Sequence, residues 1–277
     1  MHTLLAQITD LHIREPGRLA YGRLDTAPYL RTAVDSLLRL PQRPSAVVLT
    51  GDLTDFGRAA EYEHLAELLA PLPMPMFLLP GNHDDRDQLR RSFGSHAYLG
   101  AGEFVQYAVD IGPPGGLRLL ALDTVVPGHS GGRLCASRLQ WLADELAREP
   151  GRPTVVAMHH PPFRTLIGHM DKIGLEEGAT ELAAILERHP NVERVICGHL
   201  HRTIYMRFGG TVVSTAPSPA HQVCLDLAEE AASAWILEPP GFHLHAWAAP
   251  GQLVTHAAAS GRFDGPYPFH ENGALID

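Results

Sequence analysis

Cysteine is scarce in this chain, and basic residues are outnumbered by acidic ones. The three cysteines, Cys135, Cys197 and Cys224, lie far apart without Cys-x-x-Cys spacing, which argues against a disulfide framework or a thiolate zinc site. The 22 Lys and Arg residues form no cluster, and with 31 Asp and Glu residues they leave a formal net charge of −9. We therefore expect no nucleic acid polymer as a partner, because such binding requires a broad basic surface.

Membrane and nucleotide-loop signals are also missing. The apolar run near the N-terminus, at residues 3–8, is too short for a signal peptide or a membrane span, and no basic residue precedes it. We expect a cytoplasmic protein that does not bind membranes. The chain contains no GxxxxGK[ST] loop, which excludes a nucleoside triphosphate site of that type.

Histidine, in contrast, is abundant, with 17 residues. A chain that is acidic overall but rich in imidazole and carboxylate groups fits transition-metal binding better than polyanion binding. Its length of 277 residues suits one large domain, alone or with a modest appendage.

Short β-prone runs alternate with helical stretches over the first 200 residues, the pattern of βαβ units in an α/β fold. The predicted strands are 3–8, 46–50, 76–79, 104–111, 117–122, 154–158 and 194–197, and the predicted helices are 27–40, 61–69, 137–147 and 179–188. After Gly198 only strand candidates remain, at 203–208, 211–214, 222–227 and 234–237, so a second sheet is expected there. From about Gly251 the apolar residues show neither the spacing of a helix nor that of a strand.

Five short segments place metal-binding side chains directly after predicted strands. They are Asp10-Leu11-His12, Gly51-Asp52, Gly81-Asn82-His83-Asp84, His159-His160 and Gly198-His199-Leu200-His201. Each alone has an ordinary explanation, such as a turn carboxylate at Asp10 or a core histidine at His159. Loops beyond the carboxyl ends of parallel strands converge on one crevice, so the five segments together predict a single site. The glycines at 51, 81 and 198 would let the backbone turn sharply there.

The mixture of ligand types indicates two metal ions. Two divalent cations about 3.5–4 Å apart require an anionic group between them, and we interpret Asp52 as that bridging carboxylate. Imidazoles and the amide oxygen of Asn82 complete a nitrogen and oxygen donor set, which suits Fe, Mn, Zn or Co as divalent or mixed-valence ions. Calcium would prefer oxygen ligands alone.

With these motifs in this order, the chain resembles the calcineurin-like metallophosphoesterases, whose pattern is DxH, GD, GNHD or GNHE, H and GHxH. The resemblance covers about residues 3–215 and implies a two-sheet α/β-β/α sandwich with a C-terminal extension. It implies one metal held by Asp10, His12, Asp52 and His201, and another held by Asp52, Asn82, His159 and His199. The words GNHDD, MHHPP and GHLH, with residues 19–22 and 220–223, are similar to the class III cyclic-nucleotide phosphodiesterases, particularly their bacterial glycerophosphodiesterase members.

The expected function is hydrolysis of small phosphodiesters by a metal-activated hydroxide. His83 would stabilise developing charge or protonate the leaving alkoxide, and Asp84 would either orient His83 or cap a helix. Asn82, His83 and His221 are the candidate substrate-binding residues, and His160 would either support the metal ligands from outside or be a buried structural residue. Cyclic nucleotides and glycerophosphodiesters both remain candidate substrates.

Three other functions were weighed against this one. A phosphomonoesterase or protein phosphatase would favour a more basic face. A non-catalytic metal-binding module is disfavoured because no ligand motif is missing, and a nuclease because no basic, aromatic-lined groove is evident. We expect residues 1–225 to form the catalytic domain and 226–277 to add strands and a tail that serve as a cap or oligomerisation element. A homo-oligomer is expected because this aromatic, His-rich tail has no evident core of its own.

Overall fold

The computed structural model describes residues 2–276, which form a mixed α/β fold. The strands are β1 (Thr3–Ile8), β2 (Ala46–Thr50), β3 (Met76–Leu79), β4 (Tyr107–Ile111), β5 (Leu117–Ala121), β6 (Gly132–Arg133), β7 (Thr154–Ala157), β8 (Leu175–Glu177), β9 (Val192–Cys197), β10 (Ile204–Phe208), β11 (Thr211–Thr215), β12 (Gln222–Val223), β13 (Trp235–Ile236), β14 (Gly241–Trp247), β15 (Leu253–Ala259), β16 (His270–Glu271) and β17 (Ala274–Leu275). The helices are α1 (Ala27–Arg39), α2 (Ala59–Leu69), α3 (Arg86–Ser92), α4 (Ala136–Arg148), α5 (Gly168–Asp171) and α6 (Ala179–Glu187), with a 3₁₀ turn at Ala97–Leu99.

The first large sheet has the strand order β15-β14-β1-β2-β3. β1, β2 and β3 are parallel, while β14 and β15 pair in antiparallel fashion beside β1. Helix α1 connects β1 to β2 and buries Leu30, Val34 and Leu37, which the helical period places on one face. A proline lies in its first turn, where the missing N–H costs no helical hydrogen bond.

The second large sheet has the order β10-β11-β9-β7-β5-β4. β5, β7, β9 and β11 are parallel, and the edge strands β4 and β10 are antiparallel to their neighbours. Helices α4 and α6 cover its outer face, where Leu142 and Leu182 pack in one apolar cluster with Val156 and Val195. Thus the predicted helices over 137–147 and 179–188 are confirmed to within a residue or two.

The main core lies between the two sheets. Leu5 and Leu49 of the first sheet share one buried apolar cluster with Leu119, Val155 and Ile196 of the second. This shared core makes the molecule a two-sheet sandwich and confirms the predicted fold class. Because the sheets pack face to face, the loops that follow β1, β2, β3, β7 and β9 can meet.

The prediction of a second sheet formed by the strands after Gly198 is confirmed only in part, because β12 and β13 alone pair in a small sheet of their own. β10 and β11 extend the second sheet, and β14 and β15 extend the first. The segment after Gly251, for which no period was found, contains β15. The expected boundary between residues 225 and 226 stays a prediction. Within residues 2–276, no helix has both the length and the apolar character required to cross a bilayer.

Candidate metal centre

The seven predicted metal ligands lie together at one end of the sandwich. All of them are buried except Asn82, which is half-buried; they are Asp10, His12, Asp52, Asn82, His159, His199 and His201. The ring nitrogens Nε2 of His12 and His201 are 3.2 Å apart, although 189 positions separate the two residues. The Asn82 Oδ1 atom is 3.2 Å from His159 Nε2 and 3.1 Å from His199 Nδ1.

Asp52 lies between two groups of donor atoms. Its Oδ2 atom is 3.7 Å from His12 Nε2, and its Oδ1 atom is 3.4 Å from His159 Nε2. On the first side, donor atoms of Asp10, His12, Asp52 and His201 all lie within 4.8 Å of one another. One carboxylate with an oxygen directed at each group has the arrangement that a bridge between two cations requires.

Several donor atoms in the cluster have no protein partner. Among the described residues, Asp10 Oδ2 and His199 Nε2 are buried and accept or donate no hydrogen bond. Leaving such a group unsatisfied typically costs about 1–3 kcal/mol. Cations at this position would satisfy both atoms, so the residues present fit a pair of metal ions.

The backbone of the ligand loops adopts an unusual conformation. Asp10, His12, Asp52, His199 and His201 have φ values of 55°, 46°, 48°, 69° and 51°. A residue with a side chain held in this left-handed region costs of order 1–3 kcal/mol, and such residues concentrate at functional sites. Hydrogen bonds between the loops maintain the geometry.

Those hydrogen bonds connect different ligand segments directly. The amide of Asp10 donates to Gly51 O at 3.0 Å, and the amide of His199 donates to Asp10 Oδ1 at 2.9 Å. The amide of Gly198 donates to His159 O at 3.0 Å. Each loop is therefore held by another loop of the same site.

Two glycines allow the loops to approach this closely. Gly51 has a φ of 93°, and a Cβ atom there would lie 2.7 Å from the Gly81 nitrogen. A Cβ atom on Gly81 would lie 2.7 Å from Cε1 of His159. The prediction that a side chain would obstruct the turn at these positions is confirmed.

Hydrogen bonds orient three of the imidazoles. Nδ1 of His159 donates to Thr50 O at 2.8 Å, and Nδ1 of His201 donates to His221 O at 3.1 Å. Nδ1 of His12 lies 3.2 Å from the Asp55 carboxylate. With Nδ1 engaged in each case, Nε2 remains directed into the cluster, which fixes the tautomer that a metal ligand requires.

The electrostatics of the cluster also favour bound cations. Burial alone would raise the pKa of Asp52, but the imidazoles of His159 and His83 outweigh burial and hold that pKa well below its usual range. Burial, together with His221 and His12, holds the pKa of His201 well below its usual range. Asp52 is therefore ionised and His201 neutral, as metal binding requires. At His159 the charge of Asp52 outweighs burial and raises the pKa to about 9, so a cation at this ligand must displace a proton.

The three predicted substrate-binding residues line one cavity of about 360 Å³ that opens from the cluster. Asn82, His83 and His221 lie on its wall. Nδ1 of His83 donates to the backbone oxygen of Asp55 at 2.8 Å, which leaves Nε2 available to a bound molecule. Its ring lies at the edge of the His12 ring, with centroids 4.7 Å apart.

Asp84 does not make the contact expected of it. Within residues 2–276 its carboxylate accepts hydrogen bonds from the amides of Leu53 and Gly81 at 3.0 and 2.9 Å and from the Tyr62 hydroxyl at 2.9 Å. None of these bonds involves the His83 ring. The expectation that Asp84 orients His83 is corrected: its carboxylate joins the Gly81–Asp84 turn to the loop after β2, and Asp85 caps helix α3 instead.

His160 lies behind the cluster rather than in it. Its Nδ1 is 2.8 Å from Thr124 Oγ1, and its Nε2 donates to Ser130 O at 3.1 Å. Its ring contacts those of His159 and His199 at centroid distances of 4.8 and 4.7 Å. Both nitrogens bind groups outside the ligand set while the ring packs against two ligand rings, so each of the two expected roles of His160 stays a prediction.

Several residues of the site had no assigned role at the sequence level. Asp55 contacts His12, and the Tyr21 hydroxyl lies 3.2 Å from Nε2 of His221. His169 and Trp235 line the cavity. A second aspartate in the Gly-Asp-Leu-Thr-Asp segment was a usable signal for Asp55, but no spacing rule connects Tyr21 or Trp235 to the ligand motifs.

The chain is similar to known metallophosphoesterases over most of its length. The family described as Calcineurin-like phosphoesterase matches residues 3–203. The chain is 36% identical to the "Probable glycerophosphodiester phosphodiesterase GpdQ" of Arcobacter nitrofigilis, with 99% of this chain and 100% of that protein covered. It is 35% identical to a "cAMP/cGMP dual specificity phosphodiesterase" of Mycobacterium tuberculosis, with 81% of this chain and 70% of that protein covered.

A solved structure supports the fold independently of close sequence similarity. A dimetal phosphatase from Danio rerio superposes with a TM-score of 0.68, covering 94% of this chain and 96% of its own, at 16% sequence identity. At that identity the likeness concerns the fold alone. It agrees with the fold described above.

Proposed function

Because the chain belongs to the calcineurin-like phosphoesterase family, we propose that it is a dinuclear-metal phosphodiesterase that hydrolyses small phosphodiesters. The observation that carries the proposal is the pair of donor groups on either side of Asp52, with buried ligand atoms that lack protein partners. The relatives named as glycerophosphodiester and cyclic-nucleotide phosphodiesterases support diesters as the substrate class.

The ligand assignment follows from the two donor groups. One ion would be held by Asp10, His12, Asp52 and His201, and the other by Asp52, Asn82, His159 and His199. Such ions supply Lewis acidity at the phosphoryl oxygens and a nucleophile at neutral pH. The chain's own contribution is to hold the ligands and to exclude most water, since the ligand side chains are almost entirely buried.

His83 is the proposed acid or charge-stabilising residue. It lines the cavity beside Asn82, and its side chain is 33% exposed, so a substrate can reach its Nε2 atom. The hydrogen bond from Nδ1 to Asp55 O fixes the ring orientation. A positioned histidine of this kind contributes about 10²–10⁴-fold to the rate of proton transfer. His221 faces the same cavity and is the proposed second substrate contact.

The charge of the cavity favours diesters over monoesters. Among the described residues that line it, none is Lys or Arg. A monoester carries a second negative charge near neutral pH, which enzymes commonly neutralise with an Arg or Lys side chain. A diester carries one negative charge and does not need that additional cation.

Activity after metal reconstitution tests the proposal. Protein stripped with a chelator would be loaded separately with Mn, Zn, Co or Fe and assayed with bis(p-nitrophenyl) phosphate and p-nitrophenyl phosphate. We expect diester hydrolysis to exceed monoester hydrolysis with at least one metal. Monoester hydrolysis alone would favour a phosphatase, and inactivity with every metal would favour a non-catalytic binding module.

The metal content of purified protein is a separate test. We propose two ions per chain, drawn from Fe, Mn, Zn and Co, because the donor set mixes imidazole nitrogen with carboxylate and amide oxygen. Elemental analysis should give about two equivalents. One equivalent after saturating reconstitution would contradict the dinuclear assignment.

We further propose that the C-terminal tail joins copies of this chain into a homo-oligomer. Phe263, Tyr267, Phe269 and Leu275 are 69%, 69%, 80% and 72% exposed, which is unusual for large apolar side chains in one segment. A second copy would cover them. Replacing Phe269 and Tyr267 with Ser should reduce the mass measured by light scattering, whereas Ser at the isolated exposed Phe56 should not.

Cytoplasmic location stays a prediction from the N-terminal sequence.

A further inference from the structure

The outer part of the cavity has an aromatic wall and few charges. Tyr21 and Trp235 lie on this wall, whereas Asp52 lies with the metal ligands. Among the described lining residues, Asp52 is the only carboxylate and no side chain is a Lys or Arg. A group of the substrate that extends away from the phosphate therefore meets aromatic surface rather than an ionic partner.

Trp235 is held in the wall by a short pair of strands. β12 and β13 are antiparallel, with Val223 opposite Trp235, and the amide of Cys224 donates to Ala234 O at 2.9 Å. The Trp235 ring is 5.8 Å from the Tyr21 ring with an interplanar angle of 33°. The two rings are therefore neighbours that are tilted with respect to each other.

His221 connects this wall to the metal cluster. Its ring is 5.6 Å from Trp235 and 5.4 Å from His12, and its Nε2 is 3.2 Å from the Tyr21 hydroxyl. Its backbone oxygen accepts the hydrogen bond from Nδ1 of His201. Because these contacts fix the wall relative to the ligands, a phosphate bound at the cluster would direct one ester group along Trp235.

The shape and charge of the wall favour one kind of ester group. The indole of Trp235 is itself a flat aromatic surface in the cavity wall, on which a planar group stacks. A quaternary or primary ammonium group would be bound better beside a carboxylate, and among the described lining residues the only carboxylate, Asp52, lies with the metal ligands rather than in the outer wall. A glycerol group has no flat face to match the ring.

We propose that Trp235 is a specificity-determining residue that stacks on the base of a nucleotide, so that the chain prefers 3′,5′-cyclic nucleotides to glycerophosphodiesters. This inference rests on the proposed phosphodiesterase function and names the substrate class of the same site. Stacking of one base on an aromatic side chain changes binding by about 5- to 150-fold.

Kinetics of Trp235→Ala and Trp235→Phe with cyclic AMP and glycerophosphoethanolamine test the proposal. For cyclic AMP, Trp235→Ala should raise KM by about 10- to 100-fold, while kcat stays within about threefold of the wild-type value. Trp235→Phe should keep most of the affinity for cyclic AMP, because it retains an aromatic ring. For glycerophosphoethanolamine, kcat/KM should change by less than about threefold. Ile236→Ala is the matched control, because Ile236 is on the same strand, is 41% exposed and does not line the cavity.

Equal losses for both substrates, or an equal effect of Ile236→Ala, would overturn the stacking role while leaving the phosphodiesterase function intact. Failure of wild type on every diester would instead contradict the function. Stacking can then still be tested by titrating adenosine 5′-monophosphate and measuring tryptophan fluorescence. Quenching should be present in wild type and largely lost in Trp235→Phe, although two other tryptophans remain; equal quenching in both would reject the inference.

Discussion

At the residue scale, the direction of Nε2 separates three of the four proposed ligand histidines from the buried His160. His12, His159 and His201 each have Nδ1 engaged by an oxygen outside the donor group, and Nε2 directed into the cluster. His160, which is next to His159 in sequence, has both nitrogens engaged by protein groups. A nitrogen atom that is free to bind a metal, rather than proximity to the cluster alone, therefore distinguishes His159 from His160.

Replacing His83 and Asp52 should have different consequences. His83→Ala should retain both metals and lose about 10²–10⁴-fold in kcat, because His83 acts on the substrate and its ring is outside the two donor groups. Asp52→Ala should lose metal as well as activity, because the bridging carboxylate is gone. Elemental analysis and kcat measured on the same preparations check both outcomes. A metal-free His83→Ala protein beside a fully loaded Asp52→Ala protein would contradict the role assignments.

Asp55 should determine how tightly the first metal is held. Its carboxylate contacts Nδ1 of His12 at 3.2 Å, and Arg14 contacts the same carboxylate at 3.3 Å. Asp55→Asn should weaken metal affinity by about 10- to 100-fold, since such outer contacts orient the ligand and increase its basicity. Competition with a chelator measures the affinity. Asp35→Asn, at an exposed position in helix α1, should leave the affinity unchanged.

The sequence predicted the ligands of the site better than its wall. Each ligand follows a strand within two to four residues, so the motif and the strand signal locate it together. Tyr21 lies in a turn and Trp235 on strand β13, more than 200 positions apart, and their rings meet only after the chain has folded. The spacing of residues along the chain does not predict such a long-range contact.

At the scale of elements, β14 was missed for a physical reason. It lies inside the first sheet between β1 and β15, with Phe242, His243 and His245 buried. Its sequence, Gly-Phe-His-Leu-His-Ala-Trp, mixes buried histidines with apolar residues and so lacks the alternation of a half-exposed strand. Its pairing with β1 spans most of the chain, whereas β1, β2 and β3 were predicted from strong local runs of apolar residues.

A methyl group at Gly51 should disrupt the ligand loops. Gly51→Ala requires a left-handed backbone with a side chain and brings Cβ to 2.7 Å from the Gly81 nitrogen. We expect a loss of several kcal/mol in the free energy of unfolding, measured with denaturant. Gly128→Ala is the control, because Gly128 also has a positive φ, of 75°, but nothing lies within 4 Å of its Cβ position. If the two variants lose the same stability, backbone strain alone is responsible.

At the scale of the whole molecule, buried histidines should make the fold sensitive to acid. Burial, and to a smaller degree Arg194, lowers the pKa of His243 from 6.5 to about 4. Between these values the unfolded chain binds the proton and the folded chain does not, so stability falls as the pH decreases from about 6.5 to about 4. The contribution of this one residue is on the order of 2–3 kcal/mol at the lower end.

Denaturant unfolding at several pH values between 7.5 and 4.5 measures this effect. His243→Gln should lower stability at neutral pH but show a smaller decrease between pH 6.5 and 4.5 than wild type. His256→Gln, at an exposed position on β15, should keep the wild-type pH dependence. An unchanged pH dependence in His243→Gln would show that other groups account for the acid sensitivity.

The long separation between the first and last ligand motifs has a consequence for biosynthesis. Asp10 and His12 follow the earliest strand made by the ribosome, while His201 lies 189 positions after His12. Ion capture by the complete donor set must therefore wait until at least residue 201 has emerged and the sheets have docked. Until then, the early aspartates and histidines offer only incomplete coordination. Binding of the metal ions should therefore be a late step in the folding of the protein.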